Sequence, residues 1–305
     1  MVAQTILVVD DDASVRRLVE LRFQLDDYEV LSTGEPAEAL QLATERQPDA
    51  VILDVMMPDM DGFEVCRRMR EAQRGRGPVI VMLTAKAGTE AMLTGLAAGA
   101  DDYLVKPPSL DDMVERVRAR LRQVTTEAGR LHALPNGAAI AAELERRQAE
   151  ESDVAVACLD LNGFEAFNTR YGYERGDTVL DWFADLLAAE ADRRSDAFVG
   201  RLGSDDFIVV SAPADAEPMA EAIMAAFGAD IAGHHDPEDA ARGTIGMPGE
   251  GQTPPRHPLV SLAVGITNSA LHPGHYPQEL LHAAVQMVRT AKLLAGSRLV
   301  IDRAP

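Results

Sequence analysis

The stretch Ala50-Val51-Ile52-Leu53-Asp54-Val55-Met56-Met57-Pro58-Asp59-Met60-Asp61-Gly62 carries an unbroken apolar strand into an acid and then a Pro/Gly turn. An apolar run without alternation suits a strand covered on both faces, as in a parallel sheet between two helical layers. The sequence on either side repeats the arrangement. Strands are expected at Ile6–Val9, Glu29–Ser32, Ala50–Leu53, Val79–Leu83 and Asp102–Val105, each followed by a polar turn and an amphipathic stretch. The reading for residues 1–122 is an α/β unit with a five-stranded, doubly wound parallel sheet. In such folds ligands gather beyond the carboxyl ends of the strands, where the strand order reverses.

Those ends carry the chemistry. Asp10, Asp11 and Asp12 follow the first strand and Asp54 follows the third. Several carboxylates at one rim call for a hard cation with oxygen ligands, and Mg²⁺ suits phosphate chemistry best. Thr84 ends the fourth strand and Lys106 the fifth, so a hydroxyl and an ammonium face the same rim. Lysine is scarce here: only Lys86, Lys106 and Lys292 occur, against an Arg at every comparable position. An ammonium and a planar guanidinium are not interchangeable around a phosphoryl group, so the retained lysines are candidates for phosphate chemistry. Drift at exposed sites is the alternative.

Bulk composition bounds the rest. A chain of 305 residues exceeds what one core organises, so two domains are expected. No apolar run approaches the roughly 18 residues a membrane span needs. The start of the chain shows no export signal. With 29 Lys and Arg against 49 Asp and Glu, the net charge of -20 repels a phosphate backbone, and direct DNA binding is not expected. Cys66 and Cys158 sit in separate apolar segments and read as small buried hydrophobes, which fits a reducing, cytoplasmic setting.

The segments Ile6–Asp12, Leu53–Gly62, Thr84-Ala85 and Tyr103-Leu104-Val105-Lys106-Pro107 together resemble the response regulator receiver family, with a flavodoxin-like fold, over that domain's whole length. The resemblance implies that Asp54 accepts a phosphoryl group from a sensor histidine kinase or phosphotransfer protein. Mg²⁺ would be held by Asp11, Asp54 and the Met56 carbonyl, with Asp10 orienting metal-bound water. It implies a switch in which Thr84 and Lys106 meet the phosphoryl oxygens while Tyr103 turns inward behind Thr84.

Ser109 is a plausible N-cap for a helix whose first turn holds Asp111 and Asp112. Its apolar seam, Leu110, Val114, Val117, Leu121, Val124, Ala128 and Leu131, alternates steps of four and three. Packing on the receiver's own sheet accounts for the first half. From Val124 onward the spacing predicts a coiled coil that joins the domains over residues 110–131 and pairs two chains.

Residues 132–305 read as an α+β domain. Helices are expected near Ala138–Arg147, Thr178–Ala189, Pro218–Phe227 and Gln278–Leu294, and strands at Val154–Leu159, Ala197–Gly200, Phe207–Ser211, Leu259–Ile266 and Leu299–Asp302. The Gly-, Pro- and His-rich stretch from about Gly233 to Pro258 reads as a mobile loop, with His234, His235 and His257 as surface residues.

Within this domain, Leu159-Asp160-Leu161-Asn162-Gly163-Phe164-Glu165-Ala166-Phe167-Asn168, then Tyr171-Gly172 and Gly176-Asp177, are similar to the first signature of GGDEF diguanylate cyclases, whose fold is palm-like. Arg201-Leu202-Gly203-Ser204-Asp205-Asp206-Phe207 falls where the family's hairpin motif belongs, and Leu134-Pro135-Asn136, Ser261–Gly265 and Ala291-Lys292 also match. The resemblance implies a metal held by Asp160, Asp205 and the Leu161 carbonyl, with Asp206 at the catalytic position. Asn168 and Asp177 would hydrogen-bond guanine. Lys292, the turn Asn162–Phe164, Gly203 and Ser204 would surround a triphosphate.

The departures are as specific. Ser204 replaces a glycine, Asp206 a glutamate, Glu165 a lysine, Thr169 an aspartate and Tyr173 a histidine, and Gly137-Ala138 stand for paired arginines. Catalysis needs groups placed within a fraction of an ångström, so these changes predict a degenerate domain that binds GTP, cyclic di-GMP or a protein partner without efficient turnover. A phosphorylation-regulated, dimeric cyclase is the alternative. Arg193 and Asp196 resemble the family's cyclic di-GMP product site with the spacing off by one, but in a chain this charged a solvated charge run is the favoured reading.

Overall fold

The computed structural model describes residues 4–72, 77–84, 94–95, 98–106, 109–125, 134–203, 205–247, 256–272 and 277–303. The chain forms two compact units, built mainly of residues 1–127 and 128–305.

In the first unit β1 (Thr5–Val9), β2 (Glu29–Thr33), β3 (Ala50–Asp54), β4 (Val79–Thr84) and β5 (Asp102–Val105) form one sheet in the order β2-β1-β3-β4-β5, every pair parallel. Side chains alternate between its faces. Leu7, Val9, Val51 and Leu53 meet α2 (Pro36–Arg46) and α3 (Gly62–Ala72), while Ile6, Val8, Ile52 and Val81 meet α1 (Ala13–Gln24) and α4 (Leu110–Thr125). Both faces are dry, which is why these strands show no polar alternation. The Asp12 carboxylate caps α1, accepting from the Ser14 and Val15 amides at 2.8 and 3.4 Å. Ser109 begins α4, its carbonyl accepting from Met113 N–H at 3.0 Å.

Met113, Val114, Val117 and Leu121 of α4 are buried against this sheet, so the first half of the predicted seam is core of the first unit. The Val124 side chain, Ala128 and Leu131 lie outside the described residues.

The second unit is built on a sheet of order β12-β11-β6-β8-β7, formed by β6 (Ala155–Asn162), β7 (Phe198–Arg201), β8 (Asp206–Ser211), β11 (Ser261–Asn268) and β12 (Arg298–Ile301). All pairs are antiparallel except β11 with β12. One face carries Leu159, Leu161, Phe207, Val209 and Leu262 into a core with α6 (Phe164–Tyr171), α7 (Tyr173–Ala191) and α8 (Pro213–Asp230). Alternation puts Cys158, Asp160, Asp206, Ala263 and Gly265 on the other face, with α10 (Pro277–Lys292) against it. Gly265 permits this approach, since a Cβ there would lie 2.3 Å from Val288 N. At the sheet's far edge α5 (Gly137–Ala149) sets Ile140 on Gly200, where a Cβ would meet it at 2.5 Å.

Three expectations need correction. Residues 233–258 are not one mobile loop: a 3-10 turn (Ile231–His234), α9 (Pro237–Arg242) and the pair β9 (Thr244–Gly246) with β10 (Arg256–Pro258) are formed, residues 248–255 lying outside the described residues. His235 is buried rather than at the surface, because both ring nitrogens find backbone partners. The helix expected from Pro218 starts at Pro213, and Pro218 is tolerated inside it because Ala216, Met219 and Ala220 bury in the core beside it. The short helix α6 was also not expected.

Candidate functional site

The order β2-β1-β3 puts the reversal point between β1 and β3, and the residues just past both strands meet there. Asp10, Asp11 and Asp54 each bring a carboxylate oxygen within 4.8 Å of the others, the one such triad among the described residues. Asp10 and Asp54 are buried and Asp11 is exposed. Lys106 places Nζ 2.6 Å from Asp10 Oδ2, as a hydrogen bond, and 2.9 Å from Asp54 Oδ1, as an ion pair. Asp54 Oδ1 is buried, and beyond that ion pair it has no hydrogen-bond partner among the described residues. An all-oxygen triad, two of whose carboxylates share the charge of Lys106, fits a hard divalent ion, so the residues present suit Mg²⁺.

The electrostatics agree. Burial pushes the Asp10 carboxyl up; the Lys106 hydrogen bond opposes that and the Asp54 charge adds to it. Burial also pulls the Lys106 ammonium down, but its hydrogen bonds to Asp10 and Asp54 and their charges outweigh this, and it ends above the ordinary lysine range. Among the described residues the rim has more acids than ammonium groups, and it grips that of Lys106.

The backbone around the triad is held at each polar group. Asp10 N–H donates to Thr33 O at 3.2 Å, Asp12 N–H to Asp10 Oδ1 at 2.9 Å, and Arg16 Nη1 to Asp10 O at 2.6 Å. Gly34 leaves room for that guanidinium, since a Cβ would lie 2.9 Å from it. Gly62 folds back under Asp54, where a Cβ would sit 2.1 Å from the Asp54 carbonyl oxygen. Thr84 is buried, and the half-buried Tyr103 hydrogen-bonds its side chain. Met56 exposes its side chain beside the triad's loop. A cleft of 720 Å³, lined by Asp11, Arg16, Arg17, Glu38 and Pro58 among others, opens from this rim. Nothing in the sequence alone marked Arg16.

In the second unit Asp160 and Asp206 are direct partners across β6 and β8, and Lys292 at the end of α10 forms an ion pair with Asp160 Oδ2. Asp160 Oδ1 is buried without a hydrogen-bond partner. Burial, then the charges of Asp160 and Asp205, push the Asp206 carboxyl well above the usual carboxylate range. Burial pulls Lys292 down, but Asp160, Asp206 and Asp205 raise it overall. Asp205 thus joins the cluster electrostatically, although these three acids do not gather as closely as the first triad.

Leu161 is buried, Asn162 Nδ2 donates to Ser261 Oγ at 3.4 Å, and Gly163 takes φ +77° as α6 starts at the buried Phe164. Glu165 is exposed in the first turn of α6. Asn168 Oδ1 is buried, unpartnered, and so close to Gly176 that a Cβ there would lie 1.9 Å away. An orphaned acceptor costs about 1–3 kcal/mol, which a ligand N–H would recover. Asp177, half-buried, follows Gly176 at once. Gly203 is buried; Ser204 lies outside the described residues.

Arg193 and Asp196 do not pair with each other in the structure. Arg193 bonds Glu190, and Asp196 accepts from the buried Arg147 at 2.9 and 3.0 Å. Asp196 therefore ties α5 to the loop before β7. Sequence reasoning placed Tyr171 in the signature but missed its partner Asp239, joined to it by a 2.6 Å hydrogen bond, because Asp239 lies in a stretch whose composition signals a loop.

Two family models match the chain: the response regulator receiver domain over residues 6–118 and the diguanylate cyclase GGDEF domain over residues 130–298. The probable transcriptional regulator ycf27 of Guillardia theta is 32% identical over 208 residues, covering 65% of this chain and 81% of its own. Its namesake in Porphyridium aerugineum is 41% identical over 46% of this chain and 57% of its own, and the response regulator MprA of a Mycobacterium species is 44% identical over 41% and 53%. The chain thus spans little more than half the length of the latter two. Among solved structures, the receiver domain of Francisella response regulator 1452 is 30% identical, with TM-score 0.38, over 40% of this chain and 99% of its own. Vibrio cholerae CheY4 is 34% identical, with TM-score 0.37, over 38% and 97%.

Proposed function

The chain belongs to the diguanylate cyclase GGDEF-domain family and carries a response regulator receiver domain ahead of that domain, and from this we propose that it is a two-component signalling protein phosphorylated on Asp54. The observation that carries the reading is the convergence of Asp10, Asp11 and Asp54 on one another with Lys106 Nζ at 2.6 and 2.9 Å from two of them. Mg²⁺, held by Asp11, Asp54 and the Met56 carbonyl with Asp10 orienting metal-bound water, would supply the charge neutralisation that a phosphoryl group needs between acids. An Asp54 oxygen forms the new P–O bond, the P–N bond of the donor phosphohistidine breaks, and its electron pair stays on the imidazole. Lys106 then pairs with the phosphoryl oxygens, and Thr84, linked to Tyr103, carries the change outward. Incubation with acetyl phosphate and Mg²⁺ labels the wild-type chain and not Asp54→Asn; labelling of that variant at another residue overturns the assignment.

The output domain we read as a guanine-nucleotide binder with weak or no turnover, with Asn168 and Asp177 facing the base and Lys292 the phosphates. Glu165 adds negative charge where a triphosphate needs the reverse, and Lys292 already neutralises Asp160. A phosphorylation-regulated cyclase is the second reading, favoured by the orphaned Asp160 Oδ1, which suits a metal ion bound with GTP. Beryllofluoride-activated protein given GTP and Mg²⁺ separates the two: cyclic di-GMP that disappears in Asp160→Ala establishes the cyclase. Pairing of two chains through the seam beyond Val124 is part of the proposal, tested by sedimentation with and without beryllofluoride.

A further inference from the structure

The segment 231–246 closes on one residue. Tyr171 ends α6, three positions after Asn168, and its phenol O–H donates to the buried Asp239 at 2.6 Å. Asp239 also takes Arg242 at 2.8 Å and Arg170 at 3.8 Å. Arg175, two residues before Asp177 on α7, lies over the Tyr171 ring at 4.5 Å and pairs with Asp236 at 2.7 Å. His235 sets its edge against Phe167 and Tyr171 at 5.1 and 5.9 Å. Its Nε2 accepts from Val260 N–H at 3.3 Å, which leaves Nδ1 to donate to Ile231 O at 3.0 Å. The segment therefore grips both arms of the α6–α7 corner, one through Tyr171 and the other through Arg175.

That corner holds Asn168. Gly172 N–H donates to Asn168 O at 2.8 Å, and the Asn168 side chain lies against Gly176, with its Oδ1 buried and unpartnered. Asn168 Oδ1 lies against Gly176, and Asp177, a second residue with acceptor oxygens, is the next position along α7. Guanine presents two adjacent donors on one edge, N1–H and the 2-amino group, and hypoxanthine keeps only the first.

We propose that Tyr171 and Asp239 are positioning residues for base recognition, by which the 231–246 segment holds Asn168 Oδ1 and Asp177 at the spacing that reads guanine's 2-amino group. The proposal rests on the reading of Asn168 and Asp177 as the guanine-facing pair. A charge-assisted hydrogen bond as short as Tyr171 to Asp239 fixes the end of α6 in rotation as well as position. Releasing it lets the last turn of α6, and Asn168 with it, move relative to α7.

Calorimetry of the full chain with Mg²⁺ and either GTP or ITP tests this in wild type, Tyr171→Phe and Asp239→Asn, with melting curves to show that each variant folds. The expected result is that wild type prefers GTP, and that both variants lose about tenfold in GTP affinity and much less in ITP affinity, so the preference collapses. Variants that keep the wild-type preference, or that lose both nucleotides equally, overturn the positioning role while leaving the guanine reading intact. A wild-type chain that binds neither nucleotide, or both alike, removes the guanine reading and this proposal with it.

Discussion

The molecule contains two rims in which carboxylates at strand ends meet one of its few lysines. At the first, Lys106 lies between Asp10 and Asp54, with the exposed Asp11 completing a triad. At the second, Lys292 pairs with Asp160, while Asp206 beside it is pushed toward its protonated form by burial and by its acidic neighbours. The same residue types thus reach different electrostatic states. The parallel sheet brings three acids to one crevice from two strands, which leaves more negative charge than one ammonium cancels and favours a divalent ion. In the antiparallel sheet the acids sit side by side on a face covered by α10, where Lys292 pairs with Asp160 and burial beside acidic neighbours disfavours the charge of Asp206. A motif's residues fix the available charge, and the topology decides how much remains for a ligand.

The largest expected effect sharpens this contrast. Lys106→Met slows phosphorylation by acetyl phosphate by about a hundredfold or more, measured as the initial labelling rate, since the ammonium acts where charge develops. The same variant is destabilised by about 3 kcal/mol in metal-free buffer, because two buried acids lose their partner, and saturating Mg²⁺ restores part of that. A denaturant titration with and without Mg²⁺ reads it; no Mg²⁺ response breaks the comparison at the first rim.

Close backbone approach underlies both rims. Gly62→Ala places a Cβ 2.1 Å from the Asp54 carbonyl oxygen and Gly265→Ala places one 2.3 Å from Val288 N, so each costs about 2–3 kcal/mol in urea unfolding. Only the first is expected to slow phosphorylation.

Asp206→Asn probes the second rim with the opposite sign. A carboxyl raised in the folded state contributes stability at low pH that is lost as pH rises from its unfolded value of 3.8 toward the folded one. At neutral pH its charge opposes folding, so the amide raises the melting temperature of the second unit by about 2–4 °C. A lowered melting temperature contradicts the account of that rim.

The smallest effect concerns His235. Burial, then the charges of Arg175 and His234, hold its imidazole below the usual 6.5, against the pull of the Ile231 carbonyl and Asp239. On acidification the unfolded chain takes the proton first, so stability is full above about pH 6.5 and falls as pH drops below it. Calorimetry at about pH 7.5 and about pH 5.5 is expected to show a drop of roughly 2 °C in the second unit, reduced in His235→Asn. His234, lowered by its own burial, adds to the drop in the same direction.

Much of this was legible before any coordinates. Unbroken apolar strands ending in acids point to a parallel sheet with a functional rim, and the scarcity of lysine singled out Lys106 and Lys292. The stretch after Gly233 was misread because Gly, Pro and His signal turns, while what orders it is long-range: Tyr171, 68 residues away, bonds Asp239, and Val260, 25 residues away, bonds His235. Local composition carries no trace of such partners.

By itself, then, the sequence determined the strand periodicity, the two domain types and the residue chemistry at each strand end, because these depend on neighbours a few positions apart. Only the tertiary structure decided that Asp196 serves Arg147, that Lys292 spends its charge on Asp160, and that Asp239 anchors the corner bearing Asn168. Each of those outcomes depends on which distant group occupies the few ångströms around a charge, and that is a property of packing rather than of sequence spacing.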